Sequence, residues 1–281
     1  MSDTSELARG YTLVNDTQYK AGQYLLHKLA LTNTPNIQIL DIGCGPGNLT
    51  AYISSLLPDG KIIGIDPSSS RIALALSTYG DHTHLEFYEG IAEDLARFGD
   101  ESFDAVFMNS TFHWVRDQEG ALRECFRVIK KGGKLGISGG SGDFEALHEK
   151  IKREVLGREP FVRFVEEDEG PRFLKKKEIE GMLRNAGFES WEIGTNRIVK
   201  VARDGAEMVR WLDVSSSGKT YGGIPEGLRE SARGEMVREW EGYRGERGIR
   251  MQMELLVTVA VKGGVGNWGV DDGLWGSFVA S

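Results

Sequence analysis

The segment Ile37-Gln38-Ile39-Leu40-Asp41-Ile42 runs straight into Gly43-Cys44-Gly45-Pro46-Gly47-Asn48, and no other stretch constrains the fold as tightly. The first six residues form a short apolar run of strand length. From Asn48 to Leu57 the apolar spacing is helical, and Pro58-Asp59-Gly60 is a turn signal that stops it. Glycines at such a strand-to-helix junction permit positive φ and let a ligand approach bare backbone.

The same rhythm continues. Lys61–Ile65 reads as a second strand, Ser70–Tyr79 as a helix, and Leu85–Tyr88 and Phe103–Met108 as the third and fourth strands. Ala121–Ile129 reads as a helix, after which Lys131-Gly132-Gly133 turns the chain into a fifth strand, Lys134–Ile137. Alternating strands and helices predict a largely parallel sheet with right-handed crossovers. Beyond this point the rhythm changes. A helix over Leu174–Asn185 ends at Gly187, and Trp191–Val201 and Met251–Val261 suit strands. Between them, residues 204–248 are charged and glycine-rich, with helical stretches at Glu207–Leu212 and Leu228–Trp240. The expected organisation is an N-terminal helical lid (1–36), a core (37–203), a cap insertion (204–248), a final core strand (249–262) and a flexible glycine-rich tail (263–281).

Composition narrows the functional classes. The chain has 281 residues, enough for one large domain or a domain with a substantial insertion. A net charge of −8 disfavours nucleic-acid binding as the main task. No stretch approaches the roughly 20 apolar residues of a membrane span, and the first residues, Met1 to Glu6, lack the basic and apolar regions of a signal peptide. Cys44 and Cys125 are too few for a disulfide framework or a cysteine zinc site. The five histidines, at 27, 82, 84, 113 and 148, have no carboxylates at metal-ligand spacing. These features lead us to expect a cytoplasmic protein with no structural metal and no membrane association; oligomeric state has no signature here.

The glycine spacing selects the ligand. Gly43-x-Gly45-x-Gly47 does not fit the dinucleotide fingerprint Gly-x-Gly-x-x-Gly, so the pyrophosphate register is missing. Asp41 argues the same way, since a carboxylate at the strand end repels phosphate but suits an ammonium or sulfonium. Asp66 ends the second strand about 20 residues on, where an acid fits the ribose hydroxyls. An adenosine with a positive, phosphate-free tail is S-adenosyl-L-methionine.

Residues 37–137 together resemble the class I S-adenosylmethionine-dependent methyltransferases. The resemblance implies an α/β, Rossmann-like doubly wound sheet of seven strands, mostly parallel with the last antiparallel, under a helical cap. It implies that Gly43, Gly45 and Gly47 line the methionine moiety with Asp41 nearby, that Asp66 holds the ribose, and that Pro67 packs near the adenine. The family's next motif falls at Gly90–Leu95, which sets Ala92, through its backbone, and Glu93 at the adenine edge. Ile91 stands where many relatives carry Asp. Asn109 would lie beside the methionine and the transferred methyl.

The acceptor is written less sharply. Asn109 to Val115 lacks the Asn-Pro-Pro-aromatic signature of enzymes that methylate amino groups of nucleic-acid bases, and neither cysteine is placed as a cytosine C5 nucleophile. Phe112-His113-Trp114 resembles the matching segment of trans-aconitate, juvenile hormone acid and malonyl-carrier-protein methyltransferases, which esterify carboxylates. Asn15-Asp16-Thr17-Gln18 resembles that group's N-terminal Asn-x-x-Gln, whose Gln sits against cofactor and acceptor. Met208–Leu212 with Ile224–Arg229 resembles its cap. The implied activity is methyl transfer to a small-molecule acceptor, with carboxyl O-methylation leading and Gln18, His113 and Trp114 at the reacting end. Plain packing of His113 and Trp114, a solvated Gln18, a carbon, nitrogen or sulfur acceptor, and a non-catalytic cofactor-binding regulator stay open. Arg203, Arg210, Arg229, Arg233 and Arg238 are cap candidates for pairing with an anionic substrate, each with surface exposure as the default.

Overall fold

The computed structural model describes residues 16–31, 35–165, 170–216 and 219–263. Helix α1 (Asp16–Leu29) is the described part of the expected N-terminal helical lid, and the chain leaves it at Ala30, where φ is +43°. Strands β1 (Gln38–Ile42), β2 (Lys61–Asp66), β3 (Leu85–Glu89), β4 (Phe103–Asn109) and β5 (Ile129–Gly140) pair in parallel. Helices α2 (Asn48–Leu56), α3 (Ser69–Tyr79) and α4 (Gln118–Val128) lie between them in the chain. Strand β7 (Ile249–Val261) runs antiparallel to both β5 and β6 (Ser190–Ala202), so the sheet order is 3-2-1-4-5-7-6. The chain winds from β1 outward to β3, then returns to β4 on the other side of β1. That reversal opens a crevice at the carboxyl ends of β1 and β4, where sheets of this kind bind ligands.

Because side chains alternate along a strand, each apolar run serves both faces of the sheet. Leu40, Ile42, Val106, Met108, Leu135 and Ile137 pack on one face, against Leu122 and Cys125 of α4 and Ile179 and Leu183 of α6 (Lys176–Ala186). Ile39, Ile62, Ala105, Phe107 and Val259 pack on the other, against α1, α2 and α3. Helix α6 ends as expected: Gly187 has φ +105°, its N–H reaches the Arg184 carbonyl, and the Phe188 N–H reaches that of Leu183.

Two elements depart from the sequence reading. The fifth strand starts at Ile129 rather than Lys134, and Lys131-Gly132-Gly133 lies inside it as a bulge. Phe103 pairs with Ile129 and Ala105 with Lys134, so Lys130 to Gly133 stand opposite Asp104 alone, with Gly132 at φ +80°. The segment between β5 and α6, for which no element was expected, holds helix α5 (Leu147–Leu156).

Helix α5 belongs to a third core. Its Ile151 and Val155, with Phe161, pack against Met208 and Trp211 of α7 (Gly205–Ser215), Met236 and Trp240 of α8 (Glu226–Glu241), and Ile249 and Met251 of β7. Strand β5 reaches β7 only from Val261 to Leu255, so Ile249–Glu254 pairs with β6 alone. This two-stranded extension carries the cap, which is assembled from the stretch around 146–161 as well as from the insertion after β6. No helix among the described residues is long and apolar enough to cross a membrane.

Phe161 is fully buried in this third core. Its replacement by Ala is expected to cost about 3–5 kcal/mol of unfolding free energy, read from urea melts; a loss under about 1 kcal/mol would show that the 146–161 stretch is not part of the cap core.

Candidate active site

The loop after β1 is shaped by what crowds it. Gly43 has φ +74°, and a Cβ there would lie 2.1 Å from Thr111 Oγ1, so both backbone and space require glycine. Gly47 enters α2 at φ +83° with the Phe87 ring 2.9 Å from a notional Cβ. The Gly43 and Cys44 N–H groups donate to the Ile65 carbonyl at 2.7 and 3.0 Å. Gly45 N–H donates to Asp66 Oδ2 and Ser68 N–H to Asp66 Oδ1, both at 2.9 Å. Asp66 therefore joins the glycine loop to the turn at Pro67 and Ser68. Asp41 lies under the loop, 2% exposed, and accepts from the Thr50 hydroxyl at 2.7 Å. Burial drives its carboxyl up to about 7; the Thr50 bond opposes this and the charge of Asp66 adds to it.

A cavity of about 780 Å³ opens from the carboxyl ends of β1, β2 and β4 toward the cap. Of the residues singled out from sequence, Gln18, Gly43, Asp66, Pro67, Asn109, His113 and Trp114 line it together. Asp41, Gly45, Gly47, Ala92 and Glu93 do not form its wall. Ala92 is buried in the core at 3% exposure. The Glu93 carboxylate accepts from the Arg116 and Asp117 N–H groups at 3.0 and 3.4 Å, just ahead of α4. Asn15 of the Asn-x-x-Gln motif lies outside the described residues, as does the tail from 264.

Three elements meet at Gln18. Its carbonyl accepts from Asn109 Nδ2 at 2.9 Å, and its Nε2 donates to Ser215 Oγ at 3.1 Å, linking α1 to the end of β4 and to α7. Among the described residues, Gln18 Oε1 and Asn109 Oδ1 are buried acceptors with no donor. Unpaired acceptors are costly, and here they fit a ligand that brings N–H groups, such as an amino-acid ammonium. With the glycine loop and Asp66, they fit S-adenosylmethionine.

Farther along the wall, His113 is stacked between Trp114 (centroids 5.4 Å) and Phe173 (5.0 Å). Its Nδ1 is buried without a partner among the described residues, with Gly139 bare of a side chain beside it. Burial lowers the imidazole to about 4; the Glu149 carboxylate resists and His148 adds to the fall. His113 is thus neutral near pH 7. His148 Nε2 stands 3.2 Å from Glu149 Oε1.

The cap arginines fall elsewhere. Arg203 pairs with Glu207 at 2.9 Å and Arg233 with Asp213 at 3.7 Å, Arg229 donates to the Ile224 carbonyl, and Arg210 and Arg238 are exposed. None lines the cavity; its cations are Arg71, Lys152 and Lys219. Sequence reasoning missed all three, along with Phe144, His148, Glu149 and Phe173, because no spacing rule connects them.

This sheet order, with an acid-anchored glycine loop at the switch point and no pyrophosphate register, defines an α/β protein of the methyltransferase type. Residues 40–137 match the family described as "Methyltransferase domain". The chain is 32% identical to a malonyl-[acyl-carrier protein] O-methyltransferase of Bacillus cereus over 52% of its length and 54% of that protein. It is 27% identical to a trans-aconitate 2-methyltransferase of Variovorax paradoxus over 54% and 56%. Each match spans about half the length of these curated relatives. Among solved structures, phosphoethanolamine N-methyltransferase 2 of Haemonchus contortus in complex with S-adenosyl-L-methionine shares the fold, with a TM-score of 0.60 and 16% identity over 93% of this chain and 58% of that one. Residues 40–137 thus form a methyltransferase domain, and the chain is similar to S-adenosylmethionine-dependent methyltransferases.

Two outcomes are expected. Asp66→Ala, which removes both loop contacts and the expected ribose partner, should weaken S-adenosylhomocysteine binding by more than about tenfold in calorimetry; unchanged affinity would remove Asp66 from the binding site. Asp41 loses its proton near pH 7 when folded but near 3.8 when unfolded. The raised value means its stabilising share is complete below about pH 4 and is lost as pH rises through 7. Asp41→Asn should therefore melt higher than the parent at pH 8, with the difference shrinking toward pH 4, by at most about 4 kcal/mol; a pH-independent difference would show that Asp41 does not titrate in this window.

Proposed function

We propose that this chain transfers a methyl group from S-adenosylmethionine to a carboxylate oxygen of a small molecule. The cofactor supplies an electrophilic methyl on a sulfonium. The chain's own part is to hold and orient: Gly43, Asp66 and Pro67 for the nucleoside end, Gln18 and Asn109 oxygens for the ammonium, and His113 and Trp114 for the acceptor. Asp41 and Gly45 support that end from below the wall, and Gly47, Ala92 and Glu93 shape the elements around it. Positioning of this kind provides much of the acceleration in an in-line displacement.

The observation that carries the carboxylate reading is the absence of a competent base at His113. An imidazole lowered to about 4 takes a proton poorly at neutral pH. The neighbouring Glu149 is no better. Burial works to raise it, but the His148 bond and the charges of His148, Lys152 and His113 outweigh burial and hold the carboxyl below its ordinary range. Phenols and ammonium groups need a proton removed before attack, whereas a carboxylate arrives without one. The printed names of the malonyl-carrier-protein and trans-aconitate relatives agree with this preference.

Labelled methyl transfer to a panel of acids should give base-labile products. At saturating cofactor, kcat/KM for the acid should stay flat from about pH 6 to 8.5 and fall near the acceptor's own pKa, about 4–5. Base-stable label alone, or a rate that climbs about tenfold per pH unit above 7, would reassign the acceptor to another atom.

A further inference from the structure

The cap half of the cavity is apolar in body and nearly neutral in charge, with one exception. Phe144, Ile151, Phe173, Trp211, Met236 and Met253 contribute to its wall. Three acids also reach it: Glu145 is paired with Arg153 and Glu254 with Arg197 at 3.2 Å, and Glu149 stands 3.2 Å from His148 Nε2. Lys152 lies in the field of Glu149. Among the described residues, Lys219 makes no ion pair; its ammonium rests 5.3 Å from the centroid of the Trp114 ring, next to His113. An ammonium held on an aromatic face keeps its remaining N–H donors open to a further partner.

A carboxylate withdrawn from water needs a partner charge, and two or three carboxylates need as many. The five cap arginines expected to pair with an anionic substrate sit outside this cavity. We infer that the acceptor is a monocarboxylic acid with a bulky apolar body, a long alkyl chain or a ring system, and that Lys219 above Trp114 receives its carboxylate. This deepens the carboxylate reading and rests on it. The aromatic and Met-rich wall takes the body, where each buried methylene adds about 0.8 kcal/mol of transfer free energy. Lys219 takes the head. Small acids with several carboxylates find the wall apolar and all but one of their charges unmatched.

The test uses the full chain with labelled S-adenosylmethionine and four acceptors: dodecanoic acid, citrate, dodecylamine and dodecanol. Dodecanoate should be the preferred acceptor, by about a hundredfold or more over citrate in kcat/KM. Lys219→Met should raise KM for dodecanoate about tenfold with kcat nearly unchanged, and Lys219→Arg should restore most of that loss. In parallel, calorimetry on protein saturated with S-adenosylhomocysteine should show dodecanoate binding, weakened in Lys219→Met, and no citrate binding. Citrate equal to or better than dodecanoate in either assay would overturn the present inference while leaving the carboxylate reading intact. Methylation of the amine or alcohol but not the acid would overturn the carboxylate reading, and this inference with it. A Lys219→Met enzyme with unchanged KM and unchanged dodecanoate affinity would overturn Lys219 as the anchor.

Discussion

The carboxylate of Asp66 holds the ligand-binding end of this molecule together. One oxygen takes the Gly45 N–H of the loop after β1, and the other takes the Ser68 N–H at the start of α3, while the preceding Ile65 carbonyl takes two more loop donors. Charged hydrogen bonds to backbone N–H groups are among the stronger ones available. This arrangement works because β1 and β2 are neighbouring parallel strands whose ends coincide, Ile42 opposite Ile65. The loop is thereby fixed before any ligand arrives, its glycines pressed against Thr111 on one side and Phe87 on the other. Asp41 beneath it bears a cost: a buried carboxyl with Thr50 as its side-chain partner and a second acid nearby prefers to keep its proton. A cation above the loop would relieve that cost.

The cavity is the joint product of two cores that are far apart in the chain. The sheet core supplies the floor through β1, β2 and β4. The third core, stacked on the β6–β7 extension, supplies the roof through α5, α7 and α8. Helix α1 fastens the two, with Gln18 bonded to Asn109 of the sheet and Ser215 of the cap, and Asp16 paired with Lys200 of β6 at 2.8 Å. A side chain on a described first helix, one at a strand end and one on a cap helix thus share a single junction.

Much of the fold could be read from periodicity. Short apolar runs fed both faces of the sheet, glycine and proline marked the turns, and Gly187 stopped α6 in the expected left-handed conformation. The reading failed where regular pattern and local geometry part company. Lys131-Gly132-Gly133 has the composition of a turn, yet the partner strand β4 and the Lys262 carbonyl hold it inside β5 as a bulge. Helix α5 has its apolar residues at helical spacing, but its flanks are rich in charge, and only the cap core reveals what that face covers. Among the expected site residues, Gly43, Asp66, Pro67 and Asn109 meet on one cavity wall because strand ends and loop geometry place them. Glu93 lies off that wall, its carboxylate accepting from the N–H groups ahead of α4.

The class of ligand is written in local chemistry. The Gly43-x-Gly45-x-Gly47 spacing, an acid on either side of it and the strand-to-helix junction each depend on a handful of consecutive residues, whose φ angles and charges hold wherever the chain goes. Which charges face the acceptor is a different kind of fact. Five cap arginines looked equally available in one dimension, and neighbouring acids and carbonyls drew Arg203, Arg229 and Arg233 away while Arg210 and Arg238 turned to solvent. Lys219, unremarkable in its own stretch, was carried by the cap onto Trp114, 105 positions earlier in the chain (219 − 114). Pairing of charges is settled by whichever groups packing brings within a few ångströms, and packing here is decided across the whole length of the chain.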